Sequence, residues 1–229
     1  MTAWLWIAFA AGMALSLLCR MYILRTFGAY RTAATGMRRT AGWAAQQMLG
    51  ESGATLQVRD DGPEGYDLST HTLTLARRTA DSASYPALCV ALHECGHAWQ
   101  HRRAPRRTRL LHAAYRLLVR LTLPGTLGIL VGLIAGWPAV WQAGVGTYLA
   151  LLSFNLVGVA RECAASRHAR AFAFDARWLT ARQMVPLMKL LWASNLCGVA
   201  STYTAALQLT KALLALLVGR MRPREAARS

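Results

Sequence analysis

The sequence predicts a mainly α-helical, polytopic membrane protein with a small β-hairpin or sheet at the membrane surface. Two observations carry this expectation. Apolar residues make up 55% of the 229 residues and are gathered into uninterrupted blocks instead of recurring at amphipathic spacing. Each block is close to the ~20 residues that a helix needs to cross ~30 Å of hydrocarbon. Between the first two blocks, residues 20–120 hold most of the charge and two stretches in which apolar and polar residues alternate, the period of a half-buried strand.

Taken in order, residues 1–24 form an N-terminal membrane anchor whose apolar run spans Ala3 to Cys19. No charged segment precedes the run, no small-residue cleavage site follows it, and Leu18 before Cys19 does not suit lipid attachment, so the anchor is expected to be retained. Residues 25–120 form a polar region. Within it, Gly36 to Leu49 reads as a helix ended by Gly50, and Ala54 to Arg59 with Thr72 to Ala76 reads as a strand pair separated by Asp60, Asp61, Gly62, Pro63 and Gly65. Ser82 or Ser84 can cap a further helix with Pro86 in its first turn, along which Leu88, Leu92, Cys95 and Trp99 recur at helical spacing to about Arg102. Residues 121–160 are a transmembrane hairpin of two spans from Leu121 to Ala160, and residues 161–198 are surface helices. Residues 199–229 hold a last membrane segment, roughly Val199 to Val218, and a basic tail; Lys211 inside that segment must snorkel or find a partner.

The net charge is +16, yet no nucleic-acid module is recognisable and the arginines flank the apolar blocks, so the expected partner is the lipid bilayer and not nucleic acid. Of the 26 basic residues, 15 lie from Arg20 to Arg120 and 6 from Arg161 to Lys189. A hairpin between these regions sets them on one side, which the positive-inside rule makes the cytoplasm. Arg102, Arg103, Arg106, Arg107 and Arg109 suit anionic headgroups. Four full spans would put Arg220, Arg222, Arg224 and Arg228 on the far side, so either the last segment is re-entrant or interfacial, or the rule is outvoted there. Five cysteines without a C-x-x-C pair fit a reduced compartment and no disulfide framework.

One motif carries chemistry. His93-Glu94-Cys95-Gly96-His97 is H-E-x-x-H on the helix that follows Ser84. Two histidines four residues apart share a helix face and can ligate one ion, while the glutamate beside the first can reach a water on that ion as general base. With six His and five Glu in 229 residues, chance would produce the motif on the order of 0.003 times. The expected cofactor is one zinc ion per chain, which at a catalytic centre takes a third protein ligand and leaves one position open. His101 continues the series but stands ~12 Å along the helix from His93, too far to share an ion. Position 99 is Trp and position 103 is Arg, where a zinc-peptidase pattern with a turn after His97 would have Gly and His. Glu162 is the best candidate, because the hairpin returns the chain to the same surface; Asp175 is the next, and His112 and His168 read as interfacial residues.

The chain resembles the YugP-type neutral zinc metallopeptidases of bacterial membranes over nearly its whole length. The resemblance rests on an N-terminal span, Tyr66-Asp67 leading into a Thr-x-Thr-Leu-x-Leu strand, Ala91-Leu92-His93-Glu94-Cys95-Gly96-His97-Ala98-Trp99-Gln100, a membrane hairpin, and Glu162 followed by Ala165-Ser166. It implies a zincin-like H-E-x-x-H helix with His93 and His97 as ligands, Glu94 as base, Glu162 as the remaining ligand, and a multi-pass place in the bacterial inner membrane. Two positions depart from the family pattern. The acidic residue two places after the third ligand is Ala164, and the His-Tyr-Asp-Pro turn is Gly65-Tyr66-Asp67-Leu68.

These readings lead to a membrane zinc metalloendopeptidase acting on peptides or membrane proteins at the cytoplasmic surface. The strand Thr72 to Ala76 could hold an extended substrate by strand addition. His168 and Tyr203 are conceivable second electrophiles, and Trp99 and Trp178 are expected at the lipid boundary. The alternative is a non-catalytic zinc-binding membrane scaffold or regulator, to which Ala164 lends weight. An intramembrane-cleaving protease is disfavoured because Asp81, Ser82, His101 and a run of arginines flank the motif helix.

Overall fold

The computed structural model describes residues 2–50 and 52–196. The expected last membrane segment, with Tyr203 and Lys211, lies outside them. The described chain is mainly helical: α1 (Thr2–Ala29), α2 (Ala41–Gly50), β1 (Thr55–Arg59), β2 (Gly65–Asp67), β3 (Thr72–Ala76), α3 (Arg77–Ala80), α4 (Tyr85–Arg103), α5 (Pro105–Ile134) and α6 (Pro138–Asp175), then α7 over residues 181–196. It divides into two compact units, Met1–Leu18 with Ala113–Val157 and Val199–Ser229, and Cys19–His112 with Gly158–Gly198.

In the first unit, stretches of α5 and α6 pair as a hairpin. A Cβ at Gly144 would stand 2.5 Å from the Gly125 carbonyl oxygen, so the glycine is what lets the two backbones touch. The Thr126 and Tyr148 hydroxyls bond across the same pair. Both helices are long and apolar enough to cross a membrane. A core helix of a soluble protein would pass that test too, but only 17% and 22% of their most apolar windows are buried, and Leu123, Leu127, Val131, Ile134, Leu149 and Leu156 are exposed.

The helices run beyond the expected spans. α6 continues unbroken to Asp175, so Glu162 does not open a separate helix: from Val159 to Asp175 there is no Gly or Pro, and alanines and arginines favour continuation.

The second unit packs α2, β3, α4, α6 and α7 around one core that includes Met48, Leu49, Leu73, Leu75, Leu88, Leu92, Cys95, Ala169, Ala173, Leu187 and Leu190. α2 begins at Ala41 and not at Gly36, because the Thr40 hydroxyl accepts the Trp43 amide at 3.3 Å and caps the helix there. β3 alternates as expected, with Leu73 and Leu75 buried.

The expected strand pair forms, within a three-stranded sheet. β1 and β3 do pair, Thr55 opposite Thr72 through Arg59 opposite Ala76, but in parallel. The hairpin is instead β2–β3, antiparallel with Tyr66 opposite Leu73, closed by an Asp67 carboxylate that accepts from the Ser69 amide and hydroxyl. The order β1-β3-β2 places β3 in the centre, with both edges paired. Strand addition to Thr72–Ala76 is therefore ruled out, since a substrate would find no free backbone groups there. Trp178 packs on Trp43 and Phe172 against the core. The thiols of Cys19, Cys89, Cys95 and Cys163 are free, and burial pushes Cys89 up to about 12.

Candidate metal centre

α4 carries the motif. The Ser84 hydroxyl accepts the Ala87 amide at its start, with Pro86 in the first turn. Leu88, Leu92 and Cys95 point into the core, so the face bearing His93 and His97 turns to α6. There the two helices meet at Gly96, where a Cβ would stand 2.5 Å from the Ala165 carbonyl oxygen; any larger residue would hold them apart. This closeness sets the pair His93/His97 against Glu162 and Ser166, also four residues apart.

Three atoms converge between the helices. Glu162 Oε2 lies 3.0 Å from His93 Nε2 and 3.4 Å from His97 Nε2. The opposite ring nitrogens are committed. The Ser166 hydroxyl donates to Asn195 Oδ1 at 2.7 Å, so towards His93 it accepts, and Nδ1–H of His93 donates to it at 3.0 Å. The Gln100 amide nitrogen donates to the Arg161 carbonyl at 2.7 Å, which turns Gln100 Oε1 to accept from His97 Nδ1–H at 3.3 Å. In the neutral imidazoles the proton is thus on Nδ1, and both Nε2 lone pairs face the Glu162 carboxylate.

Three acceptors this close repel unless a cation or a proton sits among them. Ligand atoms ~2.1 Å from a tetrahedral zinc ion stand ~3.4 Å apart, close to the 3.0 and 3.4 Å between Glu162 and the two imidazoles, so the donor set fits zinc. Protons compete for the same place. Burial opposes the charge on His97, but the Glu162 carboxylate, then Glu94 and Gln100, outweigh it and raise the pKa. At Glu162 burial works against ionisation, and the bonds to His93 and His97 overcome it, holding the carboxyl well below the usual range.

Glu94 stands beside this set: the ligating atoms of His93, Glu94 and His97 all lie within 4.8 Å of one another. Its Oε2 accepts the Tyr66 amide of β2 at 3.0 Å. The sequence did not single out that bond, nor the supports from Ser166, Asn195 and Gln100. Ser166 and Gln100 do sit four and three residues after a candidate ligand, a readable helical spacing, whereas Asn195 comes from α7 with no local signal.

The other candidates are elsewhere. Asp175 is thirteen residues beyond Glu162 on the same helix, ~20 Å along the axis. His168 stacks on Trp99 with ring centroids 3.6 Å apart, and Arg103 lies over that indole. His101 turns to Tyr66 and His71.

The protein family described as "putative neutral zinc metallopeptidase" matches residues 5–217. The chain belongs to that family. The match takes in α4 and α6, the two helices that bring the donor set together, and the family description names zinc. No curated protein and no solved structure matches the chain.

Proposed function

We propose that the chain is a membrane-embedded zinc metalloendopeptidase, with His93, His97 and Glu162 holding the ion and Glu94 as general base. The observation that carries this is the convergence of two Nε2 atoms and a carboxylate oxygen, with the opposite nitrogen of each imidazole tied to protein. A zinc ion held there supplies Lewis acidity towards water and towards a peptide carbonyl. Glu94 then does the proton work: it takes a proton from the attacking water and returns it to the leaving nitrogen as the amide bond breaks. The Tyr66 amide, donating to Oε2, holds that carboxylate beside the ligands and stabilises its ionised form.

The exposed apolar faces of α5 and α6 support a multi-pass place in the bacterial inner membrane, and the arginines from Arg102 to Arg109 support a site on its cytoplasmic side. The test is hydrolysis of denatured casein by detergent-purified protein with zinc, beside Glu94→Gln. Loss of hydrolysis in a variant that keeps its zinc supports the peptidase. Equal hydrolysis in both would remove Glu94 from the chemistry, and zinc binding without hydrolysis in the natural chain would favour the scaffold.

A further inference from the structure

His101 is fully buried, and its Nε2 has no hydrogen-bond partner among the described residues. A buried polar atom left so is costly, and such groups persist where the rest of the side chain is needed. Its Nδ1 is 2.9 Å from the Tyr66 hydroxyl, and His71, at φ 54°, stacks on its ring with centroids 4.4 Å apart. Tyr66 thus grips α4 at two points seven residues apart, by its phenol at His101 and by its backbone N–H at Glu94 Oε2.

That amide supplies the hydrogen bond described for the Glu94 carboxylate, and it belongs to a strand of three residues at the sheet edge. The Tyr66 N–H is given to Glu94 and not to the β3 ladder, so the ladder does not fix how closely this amide approaches α4; the phenol–imidazole bond is the other contact that ties this residue to α4. Burial raises the Tyr66 pKa, with Asp67 adding to it, and burial lowers that of His101, with His71 and Arg109 adding to it, so the pair stays neutral and bonded around pH 7.

We propose that His101, through Tyr66, is a positioning residue that sets the orientation of Glu94. The inference rests on the reading of Glu94 as general base. Neither side chain hydrogen-bonds His93, His97 or Glu162, so their loss acts on turnover and not on zinc or substrate affinity. A misplacement of ~1 Å at a reacting group can cost about a hundredfold in rate.

The test uses the full chain, labelled with 15N-tyrosine, as Tyr66→Phe, His101→Leu, His101→Asn and the double variant Tyr66→Phe/His101→Leu. Four quantities are read: zinc per chain, amide exchange at residue 66 in the variants that keep Tyr66, and kcat and KM on denatured casein. Asn places a hydrogen-bonding group where Nδ1 stood. The expected result is unchanged zinc and KM in all, with faster exchange in His101→Leu and near-natural exchange in His101→Asn. A fall in kcat of about tenfold or more is expected in Tyr66→Phe and His101→Leu, with recovery in His101→Asn and no further fall in the double variant. Unchanged exchange in His101→Leu, a fall that tracks zinc loss, or additive losses in the double variant overturns the proposal. If the natural chain cleaves nothing, the peptidase reading fails separately, and exchange at residue 66 still judges the Tyr66–His101 link.

Discussion

At the scale of single residues, His93 and His97 each have one ring nitrogen tied to protein, through Ser166 and Asn195 in one case and Gln100 and Arg161 in the other. Supports of this kind fix the tautomer and orientation of a ligand, and their loss typically costs 10–100-fold in metal affinity. Ser166→Ala and Asn195→Leu should each weaken zinc binding within that range in a chelator competition, with the fold intact by circular dichroism. The pH dependence follows from the two shifts. His97 has a raised pKa, so in the zinc-free protein its contribution to stability is full below the ordinary 6.5 and is lost as pH rises through the folded value. Glu162 has a lowered pKa, so its contribution is full above the ordinary 4.5 and is lost as pH falls through the folded value. Both are present together between about 4.5 and 6.5, where zinc must displace a proton. The gain in Tm on adding zinc should therefore grow from pH 6 to pH 8. The motif residues could be read from the sequence because their spacing is local; the Asn195 support could not, since only folding brings α7 to Ser166.

At the scale of elements, the approach of α4 to α6 decides whether four side chains meet. Gly96→Ala would drive a methyl into the Ala165 carbonyl, and overpacking of this kind costs about 1–3 kcal/mol. A lowered midpoint in denaturant together with weaker zinc binding is expected, whereas Gly50→Ala, where a Cβ meets nothing, should leave zinc binding unchanged. The sequence reading recovered the α4 start from Ser84 and Pro86, and β3 from its alternation, because both signals are local. It missed β2 and left the direction of the β1–β3 pair open. Three residues among turn formers carry no period to detect, and strand direction depends on how the chain returns between them. It also ended the last hairpin helix at Ala160, where hydropathy falls, although the backbone has no reason to stop there.

For the whole molecule, the apolar blocks and the arginine distribution were readable because they are features of composition; the core of the second unit, spread over six elements, was not. A cysteine placed at exposed Arg106 should react with a membrane-impermeant maleimide in inverted vesicles and not in intact cells. Labelling in intact cells would reverse the orientation. The central claim is that side chains from two distant stretches, α4 and α6, hold one ion. Zinc content per chain, measured by elemental analysis of detergent-purified protein beside His97→Ala and Glu162→Ala, tests it most directly. About one zinc in the natural chain, lost in both variants, is the expected result for three ligands and an open position; zinc kept in full without Glu162, or none in the natural chain, would contradict it.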